Sequence, residues 1–240
     1  MLSVSVRALP AELPKSGSVS KAVAVIDVLR ATSVMATAMH NGARAIYARA
    51  EIEEARRLKN ELGPDTLLCG ERNGGRIKGF DLGNSPYEFE RQVVEDKNII
   101  MCTTNGTRAV EAALSAELLL AMSFVNLSSA SKMLLETGLP VELLCAGTNG
   151  RFSLDDALCA GMAIAWLSKH TAVETDDLGQ LLLNMALQEG TIGQKLQQCS
   201  HKLFLEASGY ERDVAFCLTH DSTVAVPMMT SKGYFTLSGR

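Results

Sequence analysis

The chain has 240 residues, enough for one α/β domain with a sizeable core, and carries a formal charge of −4 with a pI near 5.6. That balance excludes a surface built for nucleic acid or acidic membranes, so any anionic ligand must be drawn by local arginines. The six cysteines, at 69, 102, 145, 159, 199 and 217, form no C-x-x-C pair, no His pair has metal spacing, and every longer apolar run is soon broken; reduced, buried thiols in a soluble cytoplasmic protein are expected.

In chain order, short apolar runs predict strands at 3–8, 22–26, 44–48, 66–69, 98–102, 117–121 and 141–145. Between them the helical candidates are 31–41 stopped by Gly42, 51–62 stopped by Gly63, 86–94 opened by Ser85-Pro86-Tyr87-Glu88 as a capping box, 107–114, and 127–137 stopped by Gly138. This β-α-β-α rhythm predicts an α/β fold with a largely parallel or mixed central sheet and helices on both faces. From 154 to about 218 the pattern is nearly all helical, opened by Ser153-Leu154-Asp155-Asp156 as a second capping box, and 222–226 and 234–237 are expected to return as strands. No low-complexity linker divides the chain, so a single domain over 1–240 is expected, with the helical block packed on it.

Chemistry concentrates where strands end. Asp27 follows 22–26, Glu71 follows 66–69, Thr103 follows 98–102 and Gly147 follows 141–145, and in a parallel sheet such ends share the edge where ligands bind. Asp27 and Glu71 are the favoured ligands for a hard, oxygen-seeking cation such as Mg²⁺, with Asp156 third and open to the plainer reading of a helix-capping acid; Asp81, Asp155 and Asp221 are further acids in range. Arg30, Arg72, Arg108 and Arg151 all fall in these loops and would clamp a substrate with more than one anionic group. Thr32 and Ser33 at a helix start, with Asn84, Thr104, Asn105, Gly106 and Gly147 in the turns, would add neutral hydrogen bonds and close backbone approach.

Two segments echo one another, Cys102 to Arg108 and Cys145 to Arg151, and both match C-x5-R, the spacing of cysteine-dependent phosphatases. The glycines are not placed as in that pattern, Met101 and Leu144 stand where its histidine would be, and both cysteines end apolar strands, so thiolate catalysis by Cys102 with Arg108 stands as the alternative. A non-catalytic binding protein for small phosphorylated or sulfonated acids is a second alternative. P-loop, dinucleotide-binding and hydrolase-elbow motifs are absent, and His40, His170, His201 and His220 lie outside the strand-end loops, where a surface or satisfied polar role is expected.

Taken together, the segment Ile26 to Ser33, Gly70-Glu71-Arg72 with Gly79 to Pro86, Thr103-Thr104-Asn105-Gly106-Thr107, and Cys145-Ala146-Gly147 with Ser153 to Asp156 resemble the 2-phosphosulfolactate phosphatase family over residues 22 to 165. The resemblance implies a three-layer α/β/α architecture and a magnesium-dependent hydrolase. Its substrate would be 2-phospho-3-sulfolactate, on the route to coenzyme M. With the strand-end acids read above, Asp27, Glu71 and Asp156 take the catalytic and metal roles of such a hydrolase; at position 155 the family pattern has a longer Glu where this chain has Asp, which speaks against a metal role there. A small phosphorylated organic acid is thus the expected partner, and the apolar helical block leaves room for a homo-oligomer.

Overall fold

The computed structural model describes residues 1–13 and 19–237. In chain order the elements are β1 (Leu2–Arg7), β2 (Ala22–Ile26), α1 (Ala31–His40), β3 (Ala45–Ala48), α2 (Ile52–Leu62), β4 (Thr66–Arg72), β5 (Gly75–Arg76), α3 (Arg91–Val94), β6 (Asn98–Cys102), α4 (Gly106–Ala112), β7 (Leu118–Met122), α5 (Leu127–Thr137) and β8 (Val141–Cys145). Then follow α6 (Leu154–Ser168), β9 (Val173–Thr175), α7 (Asp177–Leu187), α8 (Ile192–Lys195), α9 (Ser200–Ala207), α10 (Glu211–Cys217), β10 (Met228–Met229) and β11 (Phe235–Thr236). No helix among the described residues is long and apolar enough to cross a membrane.

The strands join in the order β5-β4-β6-β3-β11-β10-β7-β2-β8-β1-β9. Two parallel halves, β4-β6-β3 and β7-β2-β8-β1-β9, are bridged by the antiparallel hairpin β10–β11, which touches each half through one register pair, Met228 with Leu120 and Phe235 with Ile46. The sheet is therefore mixed. Strands β2, β6 and β8 are buried at every position because helices cover both faces: Val23 and Val25 of β2 pack with Val34 and Val110 of α1 and α4, while Ala22, Ala24 and Ile26 pack with Leu134 and Ile164 of α5 and α6. On the outer half, Ile100 and Cys102 of β6 pack with Ala55 of α2. A β-carbon on Gly161 would lie 2.3 Å from the Leu182 carbonyl oxygen, so α6 and α7 approach through the missing side chain.

Several local expectations are corrected. The predicted helix 86–94 is a 3₁₀ turn, Pro86–Glu88, followed by the single turn α3; Ser85 does not cap it but donates to Asp213 (2.8 Å), and Glu88 instead accepts from the Gly83 amide (2.6 Å). The Ser153 box is likewise not formed: Ser153 Oγ makes no cap bond to a helix-start amide but donates to Asp155, and Asp156 accepts the amides of Val28 and Gly147 from other loops. Residues 222–226 form no strand; Thr223 donates its amide to the Val125 carbonyl, and the hairpin begins only after Pro227. The helical block contains one strand, β9, which extends the parallel sheet beside β1.

Candidate active site

A cleft of about 940 Å³ opens at the C-terminal ends of the parallel strands and is lined from both halves of the sheet. The halves meet because α4 starts against the β2 end: a β-carbon on Gly106 would sit 2.8 Å from Asp27 Oδ2 and 2.8 Å from the Ala31 β-carbon. At an exposed part of the cleft lining the Asn149 amide donates to Asn105 Oδ1 (3.0 Å), tying the two echo segments together. At Gly147 the backbone has φ +68°, and a side chain would run into the Arg151 carbonyl oxygen, 2.6 Å away.

Of the sequence-predicted residues, Asp27, Arg30, Glu71, Asn84, Thr104, Asn105 and Arg151 line this cleft. Asp27 is 6 % exposed and accepts the Ala31 amide at the start of α1 (3.2 Å). Burial pushes its carboxyl up to about 6 despite the opposing pull of His201 and the Ala31 amide, and the carboxylates of Asp155 and Glu71 push the same way. Glu71 sits within β4, two residues further along the strand than its predicted end, and its two oxygens accept the Thr104 and Gly74 amides, each at 2.9 Å. Asn84 Oδ1 and Thr104 Oγ1 are buried without a hydrogen-bond partner among the described residues.

Arg30 is held rather than free. Its guanidinium pairs with the buried Asp213 of α10, donates to the Gly74 carbonyl (2.9 Å) and lies 4.1 Å over the Tyr210 ring, while the other Asp213 oxygen takes the Ser85 hydroxyl. Arg151 is exposed at the rim and makes no ion pair among the described residues.

Thr32, Ser33, Arg72, Gly106, Arg108, Gly147 and Asp156 do not line the cleft. Thr32 and Ser33 donate to the carbonyls of Asp27 and Val28 (2.8 Å each) and so shape the loop that carries Asp27. Arg72 turns its guanidinium to the carbonyls of Glu71 (2.8 Å) and Ala50 (2.7 Å) and to Cys102 Sγ (3.3 Å), where it braces the β4–β6 ends. Arg108 points out of α4 as an exposed side chain. Asp156 accepts the amides of Val28 (2.9 Å) and Gly147 (3.0 Å), which clips the β2 loop to the β8 loop; burial and the neighbouring Asp155 and Asp27 hold its carboxyl well above the usual range. Asp81 accepts Lys59 (2.6 Å) and the Leu68 amide (2.8 Å) away from the cleft.

All six cysteines are free and buried. Cys102 lies outside the cleft lining, and burial raises its thiol although Arg72 is close; Cys145 is raised further by burial and by Asp156. Neither is placed or ionised as an attacking thiolate.

The structure adds residues that no strand-end position marks. His201, in the first turn of α9, lines the cleft, and its Nδ1 lies 3.1 Å from Thr148 Oγ1 and 3.6 Å from Asp155 Oδ2. Asp155 is fully buried; burial alone would raise it, but the nearby charge of His201 and the hydrogen bond from the Ser153 hydroxyl hold it below its usual range, while its Oδ2 has no hydrogen-bond partner among the described residues. Phe152 and Phe204, each about half exposed (51 % and 52 %), flank the mouth.

Among the described residues no three His, Cys, Asp or Glu side chains converge as a ready-made metal site. The cleft still suits a divalent ion that takes few protein ligands: it presents two carboxylates and an unpartnered buried amide oxygen, and two carboxylates facing a phosphate ester would repel it without a cation between them.

The family model of 2-phosphosulpholactate phosphatase matches residues 8–232. The chain is 41 % identical over 211 residues to a "Probable 2-phosphosulfolactate phosphatase" of Caldanaerobacter subterraneus subsp. tengcongensis, covering 87 % of this chain and 88 % of the relative. A protein of the same name from Thermotoga petrophila is 40 % identical over 213 residues, with 89 % and 90 % covered, and one from Clostridium novyi is 36 % identical over 208, with 87 % and 88 % covered.

Proposed function

The chain belongs to the 2-phosphosulpholactate phosphatase family, a family of phosphoric monoester hydrolases, and from that premise we propose that its cleft hydrolyses 2-phospho-3-sulfolactate to 3-sulfolactate and phosphate with Mg²⁺ as cofactor. The observation that carries the reading is the pairing of Asp27 and Glu71 from opposite halves of the sheet in one cleft whose rim holds the exposed cation Arg151. Asp27 and Glu71 would hold the ion. When bound, Mg²⁺ supplies Lewis-acid polarisation of the phosphate oxygens.

The protein's own groups do the rest. Glu71 is pre-set by two amides, so its carboxylate keeps one orientation whether or not ligand is present. The Arg30 guanidinium, fixed by Asp213, Gly74 and Tyr210, is a cleft-lining group that needs no reorganisation, its charge largely balanced by Asp213. Arg151, at the mouth and without an ion pair among the described residues, is suited to the sulfonate or carboxylate that projects from the reacting end. The Thr104 hydroxyl and the Asn105 and Asn84 side chains offer neutral hydrogen bonds to the remaining oxygens.

Phosphate release from 2-phospho-3-sulfolactate and a panel of small phosphoesters, with Mg²⁺ and with excess EDTA, tests this. Selective, Mg²⁺-restored turnover is expected. Full rates in EDTA would remove the metal from the scheme, and ligand-induced stabilisation without any released phosphate would make the protein a binder instead.

A further inference from the structure

We propose that His201 is the general acid of the reaction, delivering the proton on Nε2 to the bridging ester oxygen, and that Asp155 is the residue that positions it. This rests on the reading of the cleft as a phosphate ester hydrolase.

The hydroxyl chain behind the imidazole decides which nitrogen is reactive. Ser153 Oγ has one hydrogen and donates it to Asp155 Oδ1 (2.5 Å). Its 2.9 Å contact with Thr148 Oγ1 must therefore be donated by Thr148, which leaves Thr148 Oγ1 only a lone pair to offer His201 Nδ1 at 3.1 Å. Nδ1 thus carries hydrogen in both charge states of the ring, with Asp155 Oδ2 3.6 Å away to balance the imidazolium. Nε2 is the atom that gains and loses a proton, and it has no hydrogen-bond partner among the described residues. The side chain is 15 % exposed and lines the cleft.

The charged groups facing His201 are Asp155 from α6, Asp27 from the end of β2 and Arg30 at the start of α1. Burial and Arg30 oppose the imidazolium, but the charge of Asp155, 3.6 Å from Nδ1, together with that of Asp27 outweighs them and holds the ring above its ordinary value. The direction favours the charged ring, the form that has an Nε2 proton to give.

In the step, the bond from phosphorus to the bridging oxygen breaks with its electron pair going to that oxygen, which takes the Nε2 proton and leaves as the alcohol. Water forms the new bond to phosphorus and releases one proton to solvent, from which neutral His201 is reprotonated. An alkyl alkoxide is a poor leaving group and needs this proton, whereas 4-nitrophenolate does not.

The test compares 2-phospho-3-sulfolactate with 4-nitrophenyl phosphate in Mg²⁺-loaded protein. His201→Asn keeps a polar group toward Thr148 but has no proton to give; kcat on the alkyl ester is expected to fall about 10²–10⁴-fold and on the aryl ester by less than about fivefold. The ratio of the two rates in one preparation is independent of the fraction folded. Asp155→Asn should move the alkaline limb of the alkyl-ester kcat profile to lower pH, which a purely structural loss would not do. The ¹⁵N spectrum of neutral His201 should report hydrogen on Nδ1. Equal losses on both esters, no loss on either, or a neutral ring protonated on Nε2 would overturn the assignment. Wild-type protein that releases phosphate from neither ester would overturn the hydrolase reading itself, and this assignment with it.

Discussion

Asp27→Asn separates the role of Asp27 as a charge from its role as a shape. In the folded, metal-free protein the carboxyl is pushed from an ordinary 3.8 up to about 6, chiefly by burial. Above pH 6 the native state must hold an anion it disfavours, and the difference corresponds to a penalty of about 3 kcal/mol. Below the ordinary value both states are protonated and the penalty vanishes. Because the folded value is raised, stability is lost as pH rises from about 4 through about 6, the reverse of a salt-bridged aspartate. Asn keeps an oxygen for the Ala31 amide at 3.2 Å but carries no charge. Urea unfolding in EDTA should therefore show the variant gaining on wild type by about 1–3 kcal/mol between pH 4 and pH 8, whatever constant offset the amide introduces. Saturating Mg²⁺ at pH 8 should then stabilise wild type and leave the variant unmoved, with phosphate release abolished. A difference between variant and wild type that stays constant with pH would refute the reasoning, since it would mean that Asp27 carries no burial penalty.

Other substitutions probe the remaining assignments. Asp156→Ala leaves the buried Val28 and Gly147 amides without their acceptor and is expected to cost about 2–5 kcal/mol in urea unfolding; a loss confined to activity would return Asp156 to the metal shell. Cys102→Ser should retain turnover within about threefold, because the thiol faces Arg72 and the Ala50 carbonyl outside the cleft; loss of turnover together with indifference to chelator would restore thiolate catalysis. Arg151→Ala, at an exposed site, should change unfolding free energy by less than about 0.5 kcal/mol and raise KM for the sulfonated substrate roughly tenfold with kcat nearly kept. An unchanged KM would show that the rim cation does not meet the substrate.

Local patterning carried much of this protein. Strands 22–26, 98–102 and 141–145 and helix 127–137 coincide with β2, β6, β8 and α5, because continuous apolar runs and a glycine stop are signals that tertiary context reinforces. Family, α/β class and phosphoric monoester hydrolase chemistry were likewise legible in the strand-end motifs. The convergence of Asp27, Glu71 and Asn105 on one cleft follows from parallel strands ending on one edge. Hydrogen-bond partners were not legible, since they depend on which distant group the fold brings within reach. Asp156 reads as a capping acid or a ligand and is occupied by amides from two other loops; Arg30 and Arg72 read alike as anion clamps, yet one faces the cleft under Asp213 and Tyr210 and the other is spent on carbonyls. Nor does sequence spacing mark His201, because its place depends on how α9 packs back across the β8 loop, 53 residues from Thr148. The sequence by itself determined most of the strands and long helices and the edge where chemistry gathers, because these follow from short-range periodicity. Which side chains face that edge with a free donor, acceptor or charge was decided only in the tertiary structure, where buried polar groups must find partners across the whole chain.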